Sequence, residues 1–140
     1  MKDFTPTFVH LCDAATIDSL GKLNILGIFN RIFLQELPRK FPKMTVVIDL
    51  ALSKSVKKNH VLKLSIKGLN KEELKTSSPI EIKFDLPDKM PSAGTPHINI
   101  IVEIPNIEFT AYGEHNLVVF VDGENIGKRE FIVEKPPKKV

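Results

Sequence analysis

The stretch Leu62-Lys63-Leu64-Ser65-Ile66-Lys67 and, further on, Ile80-Glu81-Ile82-Lys83-Phe84-Asp85-Leu86 alternate apolar and polar residues at period two. Successive side chains of an extended strand point to opposite faces, so each segment has one apolar and one wet side. Strands of that kind belong to antiparallel sheets that pack face to face. The alternation predicts Leu64, Ile66, Ile82 and Phe84 in a core, with Lys63, Lys67, Glu81 and Lys83 in solvent.

Working outward, the same pattern predicts strands over Thr7 to Asp13, Lys22 to Leu34, Lys43 to Ser53, His60 to Gly68, Pro79 to Leu86, His97 to Phe109, Glu114 to Val121 and Ile126 to Glu134. Turn formers separate them, among them Asp18 to Gly21, Pro38 to Pro42 and Pro87 to Pro96. The expected fold class is all-β, a single antiparallel β-sandwich of about 7–9 strands, immunoglobulin-like or C2-like. It occupies residues 1–134, and a basic Pro/Lys tail follows over 135–140. The strand after Lys43 carries Met44, Val46, Ile48, Leu50 and Leu52 on one face and reads as a central core strand. Asp122-Gly123 suits a type I′ hairpin turn. That turn sets Val119 opposite Ile126 and leaves Phe131 and Val133 on the wrong face unless an extra residue intervenes, so a bulge is expected at Gly127. Asn70 to Thr76 is the one place where a helical turn is expected.

At 140 residues with one cysteine, the chain can bury a core without disulfide or structural metal. The N-terminal residues lack the apolar run of a signal peptide and no stretch approaches the roughly 20 apolar residues of a membrane span. These features set the expectation of a cytoplasmic protein with no membrane contact. The net charge of +3 is small and partly carried by the tail, and with no Trp and one Tyr there are few stacking platforms. Nucleic acid is therefore disfavoured as a partner.

His10 and Cys12 share a strand face, but two residues along a strand advance about 6.6 Å, too far for the hydrogen bond of about 3 Å that activates a thiol. His60, His97 and His115 are isolated in sequence, with no metal-ligand spacing. Gly21-Lys22 lacks the rest of a phosphate loop, and Leu23 stands where a hydroxyl residue belongs. Asp13 and Asp18 flank one turn; two carboxylates fall short of the about 6–8 oxygens a calcium ion takes, and turn formation is the expected role. No catalytic residue, cofactor or metal ligand is therefore assigned. Two surfaces remain as candidates for partner binding. One is the long Pro- and Gly-punctuated loop with Lys89, Met90, Ser92 and Thr95, and the other is a basic tip with Lys54, Lys57 and Lys58.

The run from Cys12-Asp13 through Gly21-Lys22-Leu23-Asn24-Ile25-Leu26-Gly27-Ile28-Phe29 resembles the opening of a bacterial family of uncharacterised proteins, a domain of unknown function. Tyr112-Gly113-Glu114-His115-Asn116 through Val121-Asp122-Gly123-Glu124 is similar to that family's second recurring stretch. Glu114 follows Gly113 where the family usually carries a tyrosine. The resemblance implies a small β-sandwich and no activity. The expected function is a non-enzymatic protein-binding or scaffolding module that uses a loop end or a sheet edge, with homo-oligomers through sheet edges as a further route. The alternative is a small-ligand or carbohydrate-binding sandwich. A hydrolase ranks third.

Overall fold

A computed structural model describes residues 3–53, 59–76, 80–86 and 93–138. The described residues form an all-β molecule whose strands are β1 Phe4–Ile17, β2 Leu23–Phe29, β3 Arg31–Phe33, β4 Arg39–Leu52, β5 Asn59–Lys67, β6 Ile80–Asp85, β7 His97–Phe109, β8 Gly113–Val121 and β9 Glu124–Glu134. They make a four-stranded sheet in the order β2-β1-β4-β7 and a five-stranded sheet in the order β3-β9-β8-β5-β6. The five-stranded sheet curls into a half-barrel.

The alternation read in the sequence produces this core. Leu64 and Ile66 are buried, Ile82 and Phe84 pack against the core from the edge strand, and Lys63, Glu81 and Lys83 are exposed while Lys67 is half-exposed. From the four-stranded sheet come Leu11, Met44, Val46, Ile48 and Leu50, and from the other Leu62, Leu117, Val119, Phe131 and Val133. β4 is buried on both faces, since Thr45, Val47 and Asp49 on its outer side are covered as well. Its neighbours explain this: Val47 lies between His10 of β1 and Ile101 of β7, whose larger side chains flank it. The Asp122-Gly123 turn has positive φ at both residues, as a type I′ turn requires. Val119 then pairs with Gly127 and Phe120 with Asn125, so Ile126 is the extra residue and the expected bulge forms at Ile126-Gly127.

Five expectations need correction. The segment Lys22 to Leu34 is two strands, because Phe29 packs against the core from one sheet and Ile32 and Leu34 bury from the other. In one straight strand, Phe29 and Ile32 would face opposite ways. The chain crosses between the sheets at Asn30, and β3 then runs parallel to β9. The pairing is thus not purely antiparallel. β1 extends at both ends beyond Thr7 to Asp13. β4 begins at Arg39, before the expected Lys43, and includes Pro42, which is tolerated because β1 pairs with β4 only as far as Thr45 and leaves that side open. The expected helical turn after Asn70 is instead a β return: the Leu74 N–H donates to the Ile66 carbonyl at 2.8 Å, and Lys67 bridges to Glu73. Burying Leu74 in the core outweighs the N-cap preference of Asn70.

Candidate functional site

The β1–β2 hairpin is where the apolar pattern exceeds what the core takes up. β1 pairs with β4 over Phe4 to Cys12 and with β2 over Leu11 to Ile17, so beyond Cys12 the described partner of β1 is β2 alone. The two strands continue past β4 as a ribbon on which Leu23 and Ile25 are half-buried and Asn24, Leu26 and Ile28 exposed. Leu20 is 80% exposed and Leu26 70%, with Ile17 and Ile28 about half exposed. Six large apolar side chains are exposed in the described residues, and four of them, Ile17, Leu20, Leu26 and Ile28, lie in this one hairpin. Scattered single apolar residues need no explanation, but their concentration on one hairpin, Leu26 and Ile28 on one face and Ile17 on the other, marks a candidate contact surface.

The ribbon is locally well built. Asp18 N–H donates to the Lys22 carbonyl at 2.9 Å, and its Oδ1 accepts the N–H groups of Leu20 and Lys22, each at 2.9 Å. The Lys22 N–H, seconded by that of Leu20, holds the Asp18 carboxyl below the ordinary carboxylate range. Gly21 supplies a φ of +80°. Asp18 acts as the turn former the sequence suggested. Asp13 does not join it, because its carboxylate lies over Gly27, where a Cβ would meet Asp13 Oδ2.

Elsewhere the polar groups brace strands together. Asp49 of β4 accepts hydrogen bonds from the hydroxyl of Thr7 on β1, the amide of Asn99 on β7 and Nδ1 of His97 on β7, the last at 2.8 Å. This ties three strands on the outer face. His60 Nδ1 lies 2.6 Å from Asp122 Oδ2, and Asp122 Oδ1 accepts the Val61 N–H at 2.9 Å. Burial pushes the Asp122 carboxyl up, but the bonds from His60 and Val61 outweigh it and hold it below its usual range. Both pairs have the shape of an aspartate orienting a histidine, which becomes chemistry only with a nucleophile or metal beyond the ring. Among the described residues no group of His, Cys, Asp and Glu is placed to hold a metal ion. Burial, then the Asp13 charge, pushes the Cys12 thiol up, and burial, then Arg129, pushes His10 down. His10 stacks on Phe8 with centroids 4.9 Å apart. A protonated thiol beside a ring that stays neutral is an inert pairing.

His115 is fully buried between Phe109 and Phe131, with Nδ1 bonded to the Gly113 carbonyl at 2.9 Å. The Tyr112 hydroxyl donates to the Leu34 carbonyl at 2.9 Å, so the single tyrosine fastens the entry of β8 although Glu114 stands where the resembled family has its tyrosine. A depression of about 380 Å³ on the outer face of the five-stranded sheet is lined by Lys67, Leu69, Lys71, Glu114, Asn116 and Lys128 among others, with no aromatic side chain.

Of the residues singled out in the sequence, Thr95 is exposed just ahead of β7. Lys89, Met90 and Ser92 of the long loop, and Lys54, Lys57 and Lys58 of the basic tip, lie outside the described residues. No helix among the described residues is long and apolar enough to cross a membrane. The hairpin was not among the sequence candidates. Its signal is the run Leu23-Asn24-Ile25-Leu26-Gly27-Ile28-Phe29, apolar at both odd and even positions, which reads equally well as a strand buried on both faces.

No curated protein sequence matches the chain. The structure of the alkylpurine DNA glycosylase AlkC of Pseudomonas fluorescens, bound to DNA containing an abasic site analog, is similar over 94% of this chain at 14% identity, with a TM-score of 0.48. The match covers 30% of that protein, so this chain spans less than a third of the glycosylase's length. The family of unknown function DUF6941 matches residues 7–134, nearly the whole chain, and the chain belongs to that family.

Proposed function

We propose that this chain is a non-enzymatic protein-binding module, built on an immunoglobulin-like or C2-like sandwich, and that the β1–β2 hairpin is its contact surface. The observation that carries the reading is the concentration of exposed apolar side chains at Ile17, Leu20, Leu26 and Ile28 on a ribbon that continues past β4. Apolar side chains on an exposed ribbon contribute little to folding and give a partner its buried centre. The polar clusters support the same reading, because the Asp49 carboxylate is occupied by three donors that hold strands together. The small-ligand alternative rests on the depression beside Lys67 and Lys128, which lacks the aromatic faces a sugar stacks on.

The test compares the parent with a Leu20→Lys, Leu26→Lys variant, each immobilised and exposed to native-cell extract. The variant keeps the melting temperature of the parent within a few degrees and loses the proteins the parent retains, read by mass spectrometry. Identical capture by both would sink the reading.

A further inference from the structure

β1 and β4 run side by side as far as the Cys12–Thr45 pair and then part, so the stretch of β4 from Arg39 to Met44 has β7 on one side and an open fork on the other. A depression of about 360 Å³ lies in this fork, lined by Asp13, Ile28, Phe29, Arg31, Phe33 and Phe41 among others. A second, of about 490 Å³, is lined by Phe33, Gln35, Arg39, Lys40, Phe41 and Pro42 among others. Phe33 and Phe41 line both, so the two form one groove from the base of the hairpin to the start of β4. Phe33 and Ile28 are each about half exposed along it.

Charge is sorted along this groove. The Asp13 carboxylate stands at the hairpin end, over Gly27. In the middle, Arg31 is neutralised by Glu134 at 3.0 Å. At the far end Arg39 shares a strand face with Phe41, and both Arg39 and Lys40 are exposed, with no ion-pair partner among the described residues. The backbone is open there too. Glu108 lies opposite Lys40, yet its N–H donates to the Lys75 carbonyl at 3.0 Å. Residues opposite each other in an antiparallel pair exchange both backbone bonds or neither, so Lys40 turns its N–H and C=O away from β7, toward the fork.

We propose that this groove holds an extended acidic peptide segment of a partner protein. An aromatic or aliphatic side chain seats between Phe33 and Phe41, the residues after it set carboxylates against Arg39 and Lys40, and the Lys40 N–H and C=O bond the peptide backbone. The proposal rests on the reading of the chain as a protein-binding module and extends its surface beyond the hairpin. Charge complementarity selects the occupant and its direction, because Asp13 repels a carboxylate at the hairpin end. Asp13 and Glu134 also disfavour a phosphate backbone running the length of the groove. Pro42 has no N–H to offer, so the backbone pairing is short and side chains carry most of the contact.

Panning a phage library of random short peptides on the immobilised full chain tests this. Selected sequences should carry an aromatic or aliphatic residue followed by acidic ones. A fluorescein-labelled peptide of the selected sequence should bind the parent in solution, less tightly as salt rises. Its affinity should fall about tenfold in Arg39→Gln with Lys40→Gln, the loss of two exposed ion pairs, and by at least as much in Phe33→Ser. Both variants should melt within a few degrees of the parent. Amidating the peptide's carboxylates should weaken its binding to the parent and make no difference to the Arg39→Gln, Lys40→Gln variant, a coupling that mere unfolding would not produce. Selection of basic or uncharged sequences, no selection at all, or an acidic peptide indifferent to Arg39 and Lys40 overturns the proposal. So does a thymidine oligonucleotide that binds the groove more tightly than any selected peptide. Peptides whose binding depends on Leu26 and not on Phe33 leave the hairpin reading standing while the groove falls.

Discussion

The β1–β2 and β8–β9 hairpins are closed by the same kind of device, an aspartate in the turn and a glycine with positive φ beside or near it. Their fates differ completely. β8–β9 lies between β5 and β3, and Leu117, Val119, Phe131 and Val133 are buried there. Among the described residues the distal half of β1–β2 has no third strand, and apolar residues of similar size stand in solvent. Local turn chemistry makes a hairpin, and neighbours decide whether its apolar face contributes to stability. An apolar face that stabilises little is available for a partner.

Truncation measures the difference most directly. Phe131→Ala should cost about 3–5 kcal/mol in denaturant unfolding, because a large ring leaves a cavity among Phe109, His115 and the facing sheet. Leu26→Ala should stay within about 0.5 kcal/mol. A loss of several kcal/mol at Leu26 would mean that the ribbon is covered after all, and the comparison would collapse.

The glycines sharpen it at an intermediate scale. A Cβ at Gly127 would stand 3.1 Å from Pro6 Cγ, where the β9 bulge meets β1, so Gly127→Val should destabilise by about 1–3 kcal/mol through overpacking. At Gly21 nothing lies within 4 Å, and Gly21→Ala should cost only the roughly 1 kcal/mol of a left-handed backbone. Equal losses at the two positions would show that space is not what separates the hairpins.

The smallest effect concerns acid. The folded Asp122 carboxyl is held below its ordinary value, so it contributes stability above the unfolded carboxylate pKa of about 3.9 and loses it as pH falls through the lower folded value. Asp122→Asn keeps a favourable turn residue before Gly123 and removes that titration. Melting curves between pH 5 and about pH 2 should flatten by a small amount in the variant, since the side chain is half exposed. An unchanged profile would remove the His60–Asp122 contact from the account of the β8–β9 turn.

Much of this architecture was legible because period two is a strong signal wherever one face is buried. Leu62 to Lys67, Ile80 to Leu86 and the bulge after Asp122-Gly123 read correctly for that reason. The crossing at Asn30 did not, since Ile28-Phe29-Asn30-Arg31-Ile32 carries no proline or glycine at the break; only the parity change between Phe29 and Ile32 betrays it. Leu74 was misread because its burial depends on Ile66 eight residues earlier, a tertiary contact that overrides capping propensity. Nor could the exposed ribbon be foreseen, as an apolar strand looks the same whether a sheet covers it or a partner does.

The parallel pairing of β3 with β9 has a consequence for synthesis. Arg31 and Glu134 are 103 residues apart, and at about 5–20 residues per second β3 waits roughly 5–20 s on the ribosome before its partner strand exists. Through that interval Ile32 and Leu34, buried in the finished molecule, have no sheet to close over them. The nascent chain therefore carries Ile32 and Leu34 without their partner strand until nearly the whole domain has been made, although β1 can already pair with β2 and β4.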